Sequence, residues 1–129
     1  MTTPIRLIDG LAFVTVTLQA NGQVLSLERV LLDTGSAGTV FKTDALELIG
    51  VFPLPTDPLR LLRGIGGDEA VIEKSIEALQ VGALVIAPFT IQIGTVDYGI
   101  VMDGILGLDF LLRAHALIDL ESMQLPSAL

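Results

Sequence analysis

Hydrophobic and polar residues alternate along most of this chain with a period of two, which predicts strands rather than long helices. Residues 13–18 put Phe13, Thr15 and Thr17 on one face and Val14, Val16 and Leu18 on the other. Asn21-Gly22 follows, the strongest short hairpin signal, and Val24, Leu25, Leu27 and residues 30–32 continue as the return strand. Val40-Phe41 predicts another short strand. Asp44-Ala45-Leu46-Glu47 has the form of a capping box, with Asp44 accepting from backbone N–H groups and Glu47 reaching back; Gly50 stops the short helix. Pro53, Pro55 and Pro58 exclude regular structure and mark a surface connection. Residues 59–62 and 70–72 flank Gly64-Ile65-Gly66-Gly67 as a second hairpin with a flexible tip.

Farther along, residues 75–81 and 83–93 predict strands, with Gly82 as the turn and Pro88 at an edge or bulge. Residues 100–102 are short and apolar, 108–113 predict a turn or two of helix, and 116–120 with 123–125 predict a closing hairpin. Many short strands without alternating long helices indicate an all-β barrel or sandwich. No linker is visible, so residues 1–129 are expected to form one domain.

Composition narrows the function. The 129 residues are 51% hydrophobic and only 17% charged, which suits a folded core and hints at an apolar face covered in a dimer. A net charge of −8, with no basic cluster, opposes binding to nucleic acid or to an anionic membrane surface. The absence of cysteine excludes disulfides and thiolate chemistry, and a lone His115 cannot build a metal site, so neither metal nor cofactor is expected. The longest apolar run, residues 81–89, is far too short to span a membrane. Asp9 and Gly10 interrupt any signal-peptide core, leaving cytoplasmic residence as the expectation.

One carboxylate stands out. Val30-Leu31-Leu32-Asp33-Thr34-Gly35-Ser36 carries Asp33 at the end of an apolar strand, where a charge must be hydrogen-bonded to be tolerated. Two carboxylates brought together share one proton, so that one serves as base while the other donates, a combination suited to amide hydrolysis. Gly35 permits close backbone approach, and Thr34, Ser36 and neighbouring N–H groups are donors able to orient the carboxylate. Asp-Thr-Gly is also ordinary turn chemistry, so the triplet alone is weak.

Three segments together resemble the aspartic proteases of the retropepsin type. Residues 31–41 resemble the active-site segment, an apolar pair followed by Asp-Thr-Gly-Ser. The Gly64-Ile65-Gly66-Gly67 hairpin looks like the glycine-rich flap, and residues 103–111 resemble the second hallmark, an apolar pair followed by glycine and a short helix. The likeness runs over about residues 11–125 and is nearest to the small bacterial members. It implies a closed β-barrel with a flap and one or two short helices. It further implies a homodimer in which each chain donates one Asp33, and an extended peptide or protein substrate held by Gly64, Ile65, Gly66 and Gly67. Gly104, Ile105, Leu106 and Gly107 would support the catalytic loop.

Asp103 and Asp109 lack the Thr/Ser-Gly turn that frames Asp33 and read as turn and helix-capping residues; His115 reads as a strand residue without a role. The chain departs from the retroviral pattern in having Leu108 after Gly107 rather than a nearby interface arginine, and its flap has no tyrosine. Residues 123–125 could join an interleaved dimer sheet, with Pro126 soon interrupting it. The competing function is a non-catalytic peptide-binding or interaction module of the same fold; a larger assembly supplying the partner half is a third possibility.

Overall fold

The computed structural model describes residues 2–96 and 98–126. The short strands β1 (Thr3–Pro4) and β2 (Arg6–Ile8) lead into β3 (Leu11–Ala20), which turns into β4 (Gln23–Leu32). The turn is of the primed type: Asn21 and Gly22 have φ of 54° and 70°, the left-handed values that match strand twist. There follow β5 (Val40–Phe41), α1 (Thr43–Glu47), β6 (Leu59–Gly64), β7 (Gly67–Ile76), β8 (Ala78–Val81), β9 (Leu84–Ile86) and β10 (Phe89–Ile93). The last elements are β11 (Gly104–Leu106), α2 (Leu108–Arg113) and β12 (Gln124–Leu125).

One curled, ten-stranded sheet holds most of these strands in the order β6-β7-β10-β5-β11-β4-β3-β8-β9, with β2 on β3; β1 and β12 pair separately. Alternation along β3 sorts two cores. Val14, Val16 and Leu18 enter the main core with Phe41, Leu46, Ile91 and Phe110. Phe13, pointing the other way, joins Val40, Val96, Met102 and Ile105 in a smaller core. Burying each such side chain contributes about 1.5–3 kcal/mol, which is why the period of two predicts the sheet well.

Several local expectations change. Helix α1 starts at Thr43, with Lys42 rather than Asp44 at its N-cap, two residues earlier than expected; it has no side-chain cap, and Asp44 lies in its first turn. Pro88 ends a strand rather than decorating one, separating β9 from β10. The expected closing hairpin shrinks to one bridge, Asp119 to Gln124, because Gln124 and Leu125 pair instead with Pro4 and Thr3. His115 is no strand residue: it follows α2 with φ of 49°.

The topology creates one demanding crossing. β11 lies between β4, to which it is parallel, and β5, to which it is antiparallel. Residues 33–39, which join β4 to β5, must therefore arch over the end of β11. The Asp33 N–H extends the β4–β11 ladder onto the Leu106 carbonyl (3.0 Å), and the Leu108 N–H returns to the Ser36 carbonyl (2.9 Å). Only glycine fits at 107, because a Cβ there would collide with the Gly38 and Ser36 backbone. At 104 a Cβ would lie 2.5 Å from the Val40 carbonyl oxygen.

Thr39 and Asp109 clamp this crossing. The Thr39 hydroxyl donates to Asp109 Oδ1 (2.7 Å) and accepts the Gly107 N–H (3.1 Å), while the Thr39 N–H donates to Asp109 Oδ2 (3.1 Å). Asp109 also accepts the Phe110 N–H at 2.8 Å. It thus sits in the first turn of α2 but ties that turn to the arch. Asp103 does a similar task on the other side, accepting the Arg29 N–H through Oδ2 (3.1 Å) while its own N–H donates to the Arg29 carbonyl (2.7 Å).

A second tether holds the entry to β6. Lys74 Nζ lies 2.9 Å from Asp57, and both side chains are largely shielded. That ammonium hydrogen bond, with the Leu54 N–H, holds the Asp57 carboxyl below the usual carboxylate range.

These contacts give two expectations. Gly107→Ala should cost about 3 kcal/mol or more, or prevent folding, since backbone rather than a movable side chain blocks the methyl group; urea denaturation measures it. Because its folded pKa is depressed, Asp57 stabilises the fold above its unfolded pKa of about 4, and that contribution fades as pH falls through the folded value. Asp57→Asn should therefore melt below the parent at about pH 7 and alongside it at about pH 2.

Candidate active site

The arch carries Asp33 to the end of β4, half exposed, above the smaller core. The Gly35 N–H donates to Asp33 Oδ1 (2.9 Å), and the Ser36 N–H reaches the Asp33 carbonyl at 3.3 Å. The carboxylate is therefore oriented by the backbone of its own turn. Thr34 takes no part: it is exposed, and its hydroxyl has no partner among the described residues. Ser36 is buried and donates to the Gly38 carbonyl (2.8 Å), so its hydroxyl stiffens the arch and leaves Asp33 alone.

The β6–β7 hairpin roofs this turn. Gly64 pairs with Gly67, leaving Ile65 and Gly66 at the tip. Gly67 has φ of 120°, a backbone that L side chains avoid, so glycine is required there. Ile65 is 93% exposed, yet its side chain lies over Gly35: a Cβ on Gly35 would meet Ile65 Cδ1 at 2.6 Å. Leu62 crosses Gly38 in the same way, again at 2.6 Å. The Ala37 N–H donates to the Arg63 carbonyl at 3.0 Å. The hairpin thus touches the arch by side chains at two glycines and by one backbone bond.

Between them lies a pocket of about 420 Å³. Its floor includes Leu31, Asp33 and Ile105, and its roof includes Gly64 to Gly67. The structure therefore brings together Asp33, Gly35, Ser36, Ile105 and the hairpin tip. Gly104, Leu106 and Gly107 lie behind, in the crossing that supports the arch. Asp103 and Asp109, held by Arg29 and Thr39, are not among the lining residues.

Sequence reading missed several lining residues, including Leu11, Glu69, Thr95, Tyr98 and Met102. Tyr98 comes from the loop between β10 and β11. Partial burial, and then the nearby carboxylates of Glu69 and Asp33, push its phenol above the usual value. The available signal was modest: Tyr98 is the chain's one tyrosine, in a glycine-bounded stretch without strand periodicity. Among the described residues no His, Asp and Glu side chains gather as a metal site, and no helix is long and apolar enough to cross a membrane.

A carboxylate held by a backbone donor, beside an apolar trough with a hairpin roof, suits general acid–base chemistry on an extended chain. Comparison with known proteins agrees with this geometry. The crystal structure of a retropepsin-like aspartic protease from Rickettsia conorii superposes with a TM-score of 0.64 at 17% sequence identity, covering 97% of this chain and 86% of that one. No curated protein sequence matches the chain. A family model described as aspartyl protease matches residues 14–110, well over half of the sequence. With its retropepsin-like fold and this match across the arch, the hairpin and the β11–α2 crossing, the chain belongs to the aspartyl protease family.

Proposed function

We propose that the protein is an aspartic endopeptidase, active as a homodimer, in which two copies of Asp33 share one proton and activate water against a peptide bond. The observation that carries this reading is Asp33 itself, its carboxylate fixed by Gly35 at the floor of a pocket roofed by the hairpin. Asp33 is half exposed and Thr34 beside it is exposed, which leaves one side of the turn open to a second chain. One chain offers one such carboxylate, and the chemistry needs two.

In this mechanism the ionised Asp33 takes a proton from water as the water oxygen attacks the scissile carbonyl carbon. The protonated Asp33 of the other copy gives its proton to the carbonyl oxygen, forming a gem-diol. The first carboxyl then passes its proton to the amide nitrogen, a hydroxyl proton of the gem-diol returns to the dyad, and the C–N bond breaks. Thr34, Gly35 and Ser36 form the catalytic turn, and Gly64, Ile65, Gly66 and Gly67 act as a flap over the substrate. β6 is an edge strand of the sheet, so an extended peptide has free backbone groups to pair with. Gly104, Ile105, Leu106 and Gly107 hold the turn from behind.

One observation favours the second reading, a peptide-binding module without catalysis. The chain ends, β1 and β12, already pair with each other inside one chain, so a dimer must use their outer edges or another surface.

Asp33→Asn should lower cleavage of an internally quenched peptide by about a thousandfold or more while leaving the melting curve intact. Retained activity would remove Asp33 from the chemistry. Specific activity should also fall on dilution as dimers dissociate, and be restored on reconcentration. Concentration-independent activity, or a strict monomer that binds a peptide without cutting it, would support the second reading.

A further inference from the structure

The flap hairpin has two faces with different chemistry. Leu62 pairs directly with Glu69, and Arg63 with Asp68, so these pairs lie on opposite faces. The Leu62–Glu69 face turns inward: Leu62 lies on Gly38, and Val71, two residues beyond Glu69, packs on Gly94. Glu69 is consequently an exposed carboxylate on the inner face of the roof, with Leu62 and Val71 as its apolar neighbours, and it lines the pocket with Asp33 and Tyr98.

No cation of the described chain answers it. Arg63 borders the pocket but pairs with Asp68, Nε to Oδ1 at 3.4 Å. Arg60, the other arginine of β6, pairs with Glu73 at 2.8 Å. The Glu69 carboxylate makes no hydrogen bond or ion pair with the described residues. With Asp33 below and Glu69 above, the pocket holds two carboxylates over apolar walls; burial first, and then these two charges, raise the Tyr98 phenol.

We propose that Glu69 is a specificity-determining residue, selecting a lysine or arginine side chain on the peptide that occupies this pocket. The aliphatic stem of such a residue would run along Leu62 and the neighbouring apolar wall, leaving its charged head beside Glu69 and the Tyr98 hydroxyl. The inference rests on the peptidase reading for the identity of the ligand, but its test does not require turnover.

Peptides identical except for one position, carrying lysine, norleucine or glutamate in turn, would be titrated by fluorescence anisotropy against the Asp33→Asn protein. At one position, or at two related by dimer symmetry, lysine should bind roughly fivefold more tightly than norleucine, and glutamate more weakly. That preference should shrink at about 0.5 M salt, where the screening length is only a few ångströms. Adding Glu69→Gln should equalise lysine and norleucine, whereas Glu69→Asp should keep part of the preference. Equal affinities at every position, a preference that survives Glu69→Gln, or no binding of any peptide would overturn the proposal. Cleavage by the parent protein separates the two readings. Neutral peptides cut without a lysine preference would sink the selectivity alone; a Glu69-dependent lysine preference in binding with no cleavage would sink the peptidase alone.

Discussion

The crossing of residues 33–39 over the end of β11 is the constraint on which the rest of the structure depends. β11 separates β4 from β5, so the chain must lift out of the sheet just after Leu32 and come back at Val40. It can do so only where Gly107 lets two backbones touch. Lifted backbone loses its ladder partners, and the arch recovers them through Leu106, Leu108 and the Thr39–Asp109 clamp. Thr39 is fully buried, so removing Asp109 would leave its hydroxyl and N–H short of a partner, a cost of about 1–3 kcal/mol for each such group. The direction in which Asp33 points follows from this crossing.

The same arrangement separates rigid parts from movable ones. Beneath the arch lie glycine contacts, buried hydrogen bonds and a small apolar core, all of which resist displacement. Above it the hairpin is held by Ile65 and Leu62, each resting on a glycine, and by the Ala37–Arg63 bond. Lifting the hairpin breaks one exposed backbone bond and uncovers little apolar surface, so the motion a substrate requires is inexpensive. The Lys74–Asp57 pair holds the base of the hairpin. A fixed carboxylate below and a lightly held roof above suit the proposed endopeptidase, which must admit and release a chain.

Much of this was legible in the sequence because burial follows alternation. The β3–β4 hairpin, the glycine-tipped hairpin and the α2 turn each announce themselves through local pattern and turn chemistry. What was not legible depends on pairings between distant segments. β1 and β2 are too short to show a period, and β12 finds its partner at the opposite end of the chain. Asp109 reads locally as a helix cap, yet its main partner, Thr39, reaches it only through the β4–β11–β5 crossing. Asp44 satisfied a capping pattern, but the helix began two residues earlier and left it without that task. Glu69 has no motif; its place in the pocket emerges only when the hairpin register puts it opposite Leu62.

The proposed function turns on two copies of Asp33 meeting. The direct measurement is a crystal structure of the protein with a peptide carrying a statine hydroxyl in place of the scissile bond. One inhibitor per two chains is expected, with both Asp33 carboxyls within about 3 Å of that hydroxyl across a two-fold axis. An inhibitor held by a single chain, or Asp33 side chains that remain apart in every copy, would contradict it.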